Sequence, residues 1–146
     1  MLFSQTTEYA LRAMVLLATQ PEEPQITGTI AEKTRVPAGY LSKVLQSLGR
    51  ANLVHAQRGV GGGWVLARAP ELITILDVVN AVDPIQRIKT CPLGLSAHGK
   101  NLCPLHRKLD DALAQVEEAF SSTALSDILK TPTTSRPLCN VTIRGT

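Results

Sequence analysis

Four glycines within residues 58–63, which read Arg-Gly-Val-Gly-Gly-Gly, constrain the fold of this 146-residue chain more than any other feature. Glycine permits the positive φ angles of a tight turn and lets the backbone approach another surface closely. Strand-like runs flank these glycines, residues 53–57 before them and residues 64–67 after them, and they predict two strands that pair as a hairpin. We therefore expect a β-hairpin wing whose bare tip can press against a phosphate backbone.

A nucleotide-binding phosphate loop is the rival interpretation of these glycines. Such a loop needs a lysine and then a serine or threonine directly after its glycines, because those side chains hold phosphate and Mg²⁺. Trp64 and Val65 stand there instead. The sequence therefore disfavours a nucleotide-binding loop.

Two short helices are predicted ahead of the wing. Thr27 or Thr29 can cap the first, over residues 27–33, and Glu32 follows Thr29 by three residues. Pro37 fits the first position of the second helix. Four apolar residues of that second helix recur at i, i+3, i+4 and i+7 and predict its buried face: Leu41, Val44, Leu45 and Leu48.

The opposite face of the second helix carries small, hydrogen-bonding or cationic side chains, which suit a major groove: Gly39, Ser42, Lys43, Gln46 and Arg50. A solvated helix face is the alternative, and charge distinguishes the two. Residues 33–70 contain six basic residues and no Asp or Glu, whereas the rest of the chain has nine basic and twelve acidic residues. A basic segment of charge +6 on an acidic body indicates a binder of duplex DNA with strongly salt-dependent affinity.

Residues 7–18, 29–54 and 58–83 are together similar to the Rrf-type family of bacterial winged-helix regulators, most specifically in Tyr40-Leu41 and the wing. The resemblance implies that Tyr40, Ser42 and Lys43 line the groove-facing helix and that Arg58 and Gly59 begin a wing reaching the minor groove. Ser42 stands where the family's iron-sulfur regulator has a glutamate that adjusts base preference, so the operator sequence does not carry over. The predicted DNA contacts are Thr27, Gly39, Tyr40, Ser42, Lys43, Arg50, Arg58, Gly59, Gly61 and Gly62.

The predicted fold is mostly α-helical with a small β-hairpin wing, an α+β class. A first helix over residues 6–18 is expected to bury Leu11, Met14, Val15 and Ala18, and a short helix capped by Thr74 ends before Pro84. The predicted organisation is a winged helix-turn-helix DNA-binding domain (1–82), a cysteine-containing sensor loop (83–103), a dimerisation helix with a short C-terminal helix (104–130) and a flexible tail (131–146).

A long helix that starts at Pro104 carries an apolar stripe that needs a partner: Leu105, Leu109, Ala112, Leu113, Val116 and Phe120. One small domain has little left to cover this stripe. A two-fold homodimer through the helix would cover it and would place two recognition helices on a palindromic operator. Packing of the stripe on its own domain is the alternative.

Sensor chemistry is expected in residues 91–106. Cys103 falls at the N-cap before Pro104, where unpaired backbone N–H groups and the positive helix end favour a thiolate. Cys91 lies twelve residues earlier on a loop that can fold back to it. The resemblance implies a third cysteine at position 97 in cluster-binding members, where this chain has Ala97, so the remaining ligands favour a two-iron two-sulfur cluster over a four-iron one.

Candidates for the remaining ligands are His106, in the first turn of the long helix, and, more weakly, His98. The resemblance adds Glu8, because some members supply an acidic residue at this position from the partner subunit. By itself Glu8 equally fits a first-turn acid that stabilises the helix dipole, and His98 a solvated loop residue. Zinc in a mixed cysteine and histidine site, or no cofactor, are the alternatives. His55 is interpreted as structural, and Cys139 as a free thiol of the tail.

Composition disfavours several other classes. No signal-peptide pattern or membrane-spanning run is present, so a cytoplasmic protein without a membrane partner is expected. Aromatic residues make up 3% of the chain, too few for stacking on single strands, and no catalytic motif indicates an enzyme. We expect a dimeric transcriptional regulator, a repressor, that senses redox state, oxygen, nitric oxide or iron-sulfur status through a cluster at Cys91 and Cys103. The alternative is a cluster-free regulator that responds through thiol oxidation, a small ligand or a partner protein.

Overall fold

A computed structural model describes residues 2–98 and 101–138 of the chain. Helices α1 (Gln5–Thr19), α2 (Thr27–Thr34) and α3 (Ala38–Arg50) come first, followed by strands β1 (Val54–Gln57) and β2 (Gly63–Leu66). A 3₁₀ turn at Pro70–Leu72 leads into α4 (Ile75–Val82), and α5 (Pro104–Ser121) and α6 (Leu125–Lys130) follow. The prediction of a mostly helical fold with one β-hairpin is confirmed.

Helix α1 lies at the centre of the core, in contact with α2, α3, α4 and α6. Ala13 and Met14 are fully buried and Leu17 is 1% exposed. Alanine lets neighbouring helices approach closely, and each large apolar side chain buried here stabilises the fold by about 1.5–3 kcal/mol. The prediction that Leu11 is buried with them is wrong, because Leu11 lies at the edge of the core and lines a surface cavity.

Helix α2 ends because Arg35 adopts the left-handed conformation, with φ of 56°. The Val36 amide donates to the Ala31 carbonyl at 3.1 Å and the Arg35 amide donates to the Glu32 carbonyl at 3.4 Å. This pair of hydrogen bonds forms a Schellman-type helix end, which satisfies the last carbonyls and turns the chain into α3.

Both predicted helix starts differ from the structure in this region. Ile26, which has no capping side chain, is the N-cap of α2, so the prediction that Thr27 or Thr29 caps it is wrong. Thr27 is instead the first helical residue. Pro37 is the N-cap of α3 and lies one residue before the predicted position. The four predicted apolar residues of α3 are buried as expected.

The hairpin pairs β1 and β2 in antiparallel register, with Val54 opposite Leu66 and Gln57 opposite Gly63. Gln25 extends this sheet by one further bridge. Its amide donates to the Trp64 carbonyl at 3.0 Å, and the Trp64 amide donates to the Gln25 carbonyl at 2.8 Å. The wing is therefore anchored to the segment that precedes α2.

Thr74 caps α4 as predicted, in a reciprocal capping box with Asp77. The chain after α5 returns to the start of α4, because the Leu125 amide donates to the Ile73 carbonyl and the Ile75 amide donates to the Thr123 carbonyl, both at 2.9 Å. Leu125 is fully buried. Helix α6 thereby closes the core beside α1.

Residues 131–138, predicted to begin a flexible tail, have no regular structure, but Leu138 is half-buried against the core. The rest of that tail, including Cys139, lies outside the described residues. None of the helices within residues 2–98 and 101–138 is both long and apolar enough to cross a membrane.

Candidate DNA interface and cysteine loop

The predicted recognition face of α3 lies on the solvent side of the helix, opposite its buried leucine and valine side chains. Gly39, Lys43 and Arg50 are exposed. The Ser42 hydroxyl donates to the carbonyl four residues earlier at 3.2 Å, so it must leave this bond to donate to a base. Arg50 donates to the Ser47 hydroxyl at 3.3 Å. Lys43 is thus the exposed cation nearest the middle of this face.

Tyr40 connects the start of α3 to α1. Its hydroxyl hydrogen-bonds to the Thr6 hydroxyl, and its ring packs edge-on against Tyr9 with centroids 5.3 Å apart and planes at 83°. The residue remains 40% exposed. Tyr40 therefore positions the recognition helix on α1 while part of its surface stays open to a DNA contact.

The wing glycines are required by backbone geometry. Gly59 and Gly61 have φ of 97° and 74°, a region in which a side chain is strained. A Cβ on Gly62 would collide with the Gln57 carbonyl, and a Cβ on Gly63 would lie 2.6 Å from the Gln25 backbone. The predicted DNA contacts Gly59, Gly61 and Gly62 therefore have structural reasons to be glycine that are independent of DNA.

Arg58 and Val60 form the exposed tip of the wing. Arg58 is exposed. Val60 is fully exposed as well, which places an apolar side chain at the very tip. It was not among the predicted contacts, although its position inside the glycine run was a sequence signal for this exposure.

Trp64 is a positioning residue that was not predicted from the sequence. Its indole Nε1 donates to the Thr27 hydroxyl at 3.2 Å, and a Cβ on Gly49 would lie 3.5 Å from its ring. Trp64 thereby joins the wing to α2 and to the end of α3. Thr27, a predicted DNA contact, is half-buried, and its hydroxyl oxygen accepts this hydrogen bond.

Cys103 occupies the N-cap of α5, as predicted. Its Sγ makes no capping bond to the helix backbone and instead lies 3.4 Å from Nδ1 of His106. Three residues separate the two along the first turn, which places them on the same side of the helix start. The thiol and the imidazole therefore form a hydrogen-bonded pair that can share one proton.

The structure does not bring the other predicted ligands to this pair. Cys91 is buried, and Glu8 is bound to Arg12 Nε at 2.9 Å. His98 is half-buried, and its Nδ1 is buried with no hydrogen-bond partner among the described residues. Across residues 2–98 and 101–138, no three His, Cys, Asp or Glu side chains form a group that could hold a metal ion.

His55, interpreted as structural from the sequence, is exposed on β1 opposite Val65. Its side chain therefore contributes no core packing. The backbone pairing of the strand is the structural contribution that remains at this position.

A polar clamp fastens the start of the sensor loop to α5. Arg87 binds Asp110 through two bonds of 2.7 and 2.8 Å and Glu117 through one of 2.9 Å, while the Ile88 amide donates to Asp110 at 2.9 Å. Asp110 is 8% exposed. The Arg87 guanidinium lowers the pKa of Asp110 to about 2, and these two carboxylates raise the pKa of Arg87. A charged pair therefore sets where the loop leaves the body of the protein.

The predicted dimerisation stripe on α5 lies largely open. Leu105 is 63% exposed and Leu109 is 48% exposed. Leu113 and Val116 are half-buried, and Phe120 packs against Phe3 with ring centroids 5.2 Å apart. Among the described residues, the apolar stripe itself is therefore covered mainly from Leu113 onwards.

Comparison with known proteins places this arrangement among bacterial regulators. Residues 3–131 match the family described as Rrf2, iron-dependent transcriptional regulator. The HTH-type transcriptional regulator NsrR of Bacillus licheniformis is 30% identical over 126 residues, covering 84% of this chain and 88% of that protein. CymR, the global cysteine regulator of B. subtilis, has a TM-score of 0.73 and 28% identity over 88% of this chain and 95% of its own. IscR of T. potens has a TM-score of 0.74 and 26% identity over 89% and 87%.

Proposed function

Since this chain belongs to the Rrf2 family of transcriptional regulators, we propose that it binds duplex DNA as a homodimer through α3 and the wing, and that the chemical state of Cys103 sets its affinity for the operator. Three parts of the molecule support the three parts of this proposal. They are the acid-free recognition surface, the open stripe of α5 and the contact of Cys103 with His106.

The observation that carries DNA binding is the exposure of Lys43 and Arg58 on a surface built from a segment without carboxylates. Lys43 lies on the solvent face of α3, where a helix enters a major groove, and Arg58 lies on the wing, which can reach the neighbouring backbone or minor groove. Each cation that neutralises a phosphate releases a counterion, so affinity falls as salt rises.

The DNA surface is tested with Lys43→Gln and Arg58→Gln in a fluorescence titration of a duplex selected from random sequence. Each variant should bind about tenfold more weakly, and a phosphate contact that is lost should also reduce the salt slope by about one. Lys108→Gln removes the same charge from exposed α5 and is the matched control. Unchanged affinity of both variants at equal salt would place the DNA surface elsewhere.

Homodimerisation is supported by the exposure of Leu105 and Leu109 on α5. A contiguous apolar stripe on a helix of 18 residues is unfavourable in water and is stabilised by a second apolar surface. A two-fold axis would pair the stripe with its own copy and would hold two recognition helices at a fixed spacing on a palindrome. The partner that the structure supports best is therefore a second copy of this chain.

Within residues 2–98 and 101–138 of one chain, the predicted ligands do not converge as an iron-sulfur cluster requires. A two-iron cluster needs four converging protein ligands, whereas the contact described here joins two, Cys103 and His106. Cys91 is buried and is part of no metal-binding group of three His, Cys, Asp or Glu side chains among the described residues, and Glu8 is engaged with Arg12. We therefore favour the cluster-free form of the proposal, in which the thiol of Cys103 is the reactive group.

Oxidation of Cys103 by a peroxide gives a balanced reaction at this site. The thiolate sulfur attacks one peroxide oxygen, an S–O bond forms, the O–O bond breaks, and the leaving hydroxide takes up a proton to become water. His106 can hold the thiol proton through the 3.4 Å contact. A sulfenic acid formed at the N-cap of α5 changes hydrogen bonding at the start of the helix that we propose joins the dimer.

The signal is tested by purifying the protein without oxygen, measuring iron and sulfide, and comparing DNA affinity before and after treatment with hydrogen peroxide. The parent should contain no cluster, and oxidation should change its affinity about fivefold or more. Cys103→Ser should abolish this response, and Cys91→Ser is the control for a buried thiol. A chromophore with stoichiometric iron and sulfide would overturn the thiol proposal and show that ligands converge across a dimer.

A further inference from the structure

A cavity of about 580 Å³ opens between α1, the end of α2 and residues 136–138, and its lining includes neither the proposed DNA contacts Lys43 and Arg58 nor Cys103. Its volume lies within the roughly 300–1,000 Å³ typical of small-molecule sites. The geometry points to a binding site for a small organic anion with a short apolar chain. This inference does not depend on the proposed function.

The charge of the lining favours an anion. Arg12, Lys33, Arg35 and Arg136 all line the cavity, and Glu8 is the carboxylate among the described lining residues. Glu8 is occupied by Arg12, which also donates to the Thr34 carbonyl at 3.3 Å. Within residues 2–98 and 101–138, the other three cations make no ion pair. Cations gathered without counter-charge attract an anionic ligand.

The conformation of Arg35, which ends α2, also bears on the lining of the cavity. Its φ of 56° is a left-handed conformation that glycine or asparagine adopts more easily at a helix end. Strain of this kind is often found where a side chain has a binding role. At this position it places a cation, and not a small residue, on the wall of the cavity.

An apolar floor distinguishes this cavity from a contact with the DNA backbone. Leu11, Val15 and Leu138 line it between the cations. Leu11 is half-buried because it borders this open space. A phosphate backbone has no apolar body to cover these side chains, whereas a short alkyl carboxylate buries its chain against them and presents its head to the arginines.

Hexanoate is the probe for this site, measured against the full-length protein by isothermal titration calorimetry and saturation-transfer NMR. We expect binding with a stoichiometry of one per chain. Acetate lacks the apolar chain and hexylamine reverses the charge, so both should bind at least about tenfold more weakly. Equal binding of hexanoate and hexylamine, or no binding of hexanoate, would overturn the proposal.

The double variant Arg35→Asn/Arg136→Gln removes two cations and keeps a residue that tolerates the left-handed conformation. It should weaken hexanoate binding at least about tenfold. The double variant Arg68→Gln/Lys130→Gln removes two charges from a second surface cavity and should bind as the parent does. Lys33→Gln, read in the same titration, gives an independent test if the first double variant melts early.

These outcomes separate the cavity from the DNA surface. If the Arg35→Asn/Arg136→Gln variant loses duplex binding while the parent fails to bind hexanoate, the cations contact DNA phosphates and the small-anion site is wrong. If hexanoate binding depends on Arg35 while the Lys43→Gln and Arg58→Gln variants bind DNA normally, the cavity stands and the proposed DNA surface fails.

Discussion

Helices α3 and α5 are both amphipathic, yet the apolar face of α3 is buried and much of that of α5 is exposed. The apolar face of α3 is 0–3% exposed, at Leu41, Val44, Leu45 and Leu48. In α5 the buried residue is Asp110, while Leu105 and Leu109 are about half exposed or more. One helix is thus held by hydrophobic burial and the other by a charged clamp to Arg87.

The chain buries the apolar face of α3 within its own core and leaves much of the apolar stripe of α5 exposed. Burial of α3 by its own domain fixes the recognition face before DNA arrives, so its geometry costs little conformational entropy on binding. Helix α5 keeps an apolar stripe that a second copy can bury. We therefore expect α3 and the wing to be stable in the monomer, whereas burial of the stripe on α5 requires the proposed second copy.

The largest effect should come from Leu45→Ala, which removes a fully buried side chain from α3. We expect the free energy of unfolding to fall by about 2–5 kcal/mol, because both transfer and cavity terms are lost. Leu109→Ala is the matched change on α5 and should cost less than about 1 kcal/mol in the monomer. Urea unfolding at low protein concentration measures both. Equal losses of stability would show that the apolar side chains of α3 and α5 are buried to a similar extent.

Leu109→Glu should have the next largest effect, on assembly. A carboxylate in the proposed interface must be desolvated without a partner, so the dimer should weaken at least about a hundredfold. Gln115→Glu places the same charge on an exposed position of the same helix as a control. Sedimentation velocity over a concentration series gives the constants. A dimer of unchanged strength would move the interface off this stripe.

The wing, like α3, is held by contacts within one chain. Gly63→Ala tests how strongly it is anchored. The new Cβ would lie 2.6 Å from the Gln25 backbone, so the bridge to Trp64 should open at a cost above about 2 kcal/mol. Gly61→Ala meets no neighbour within 4 Å and should cost only the left-handed strain of about 1–2 kcal/mol. Trp64 fluorescence and duplex affinity report both variants. Identical losses would mean that Gln25 does not anchor the wing.

The smallest effect concerns the clamp between Arg87 and Asp110. The pKa of Asp110 is lowered to about 2, so its contribution to stability is present above about pH 4 and is lost as the pH falls towards 2. Asp110→Asn should remove this acid-sensitive part of the stability curve and loosen residues 85–91. Asp111→Asn, on the exposed side of α5, should not. Thermal melts from pH 2 to 6 and hydrogen exchange of that segment provide the measurement.

Much of the fold could be predicted because its signals are local. The glycine run and flanking strands gave the hairpin to within one residue, the spacing of leucines gave the buried face of α3, and Thr74 gave the start of α4. The start of α2 could not be predicted from its threonines. Its N-terminus is held by the neighbouring bridge of Gln25 to Trp64, which is distant in sequence.

In the candidate site, too, local sequence signals could be predicted and long-range contacts could not. Lys43 and Arg58 could be predicted as DNA contacts because charge and helical spacing are visible in the sequence. Trp64 and Tyr40 were missed as positioning residues because their partners, Thr27 and Thr6, lie 37 and 34 residues away. A site of Cys91, Cys103 and His106 was expected from spacing and resemblance, with Glu8 supplied by the partner subunit, and the described residues of one chain do not form a metal-binding group.

The sequence alone determined which surface is basic, where the wing turns and which face of α3 is buried, because each depends on residues close together in the chain. Tertiary structure alone decided that Cys91 is buried, that Asp110 holds Arg87, that α5 keeps an open stripe and that four cations surround one cavity. These features depend on which distant side chains meet. These contacts are set by how the whole core packs around α1, and the spacing of residues along the sequence does not reveal them.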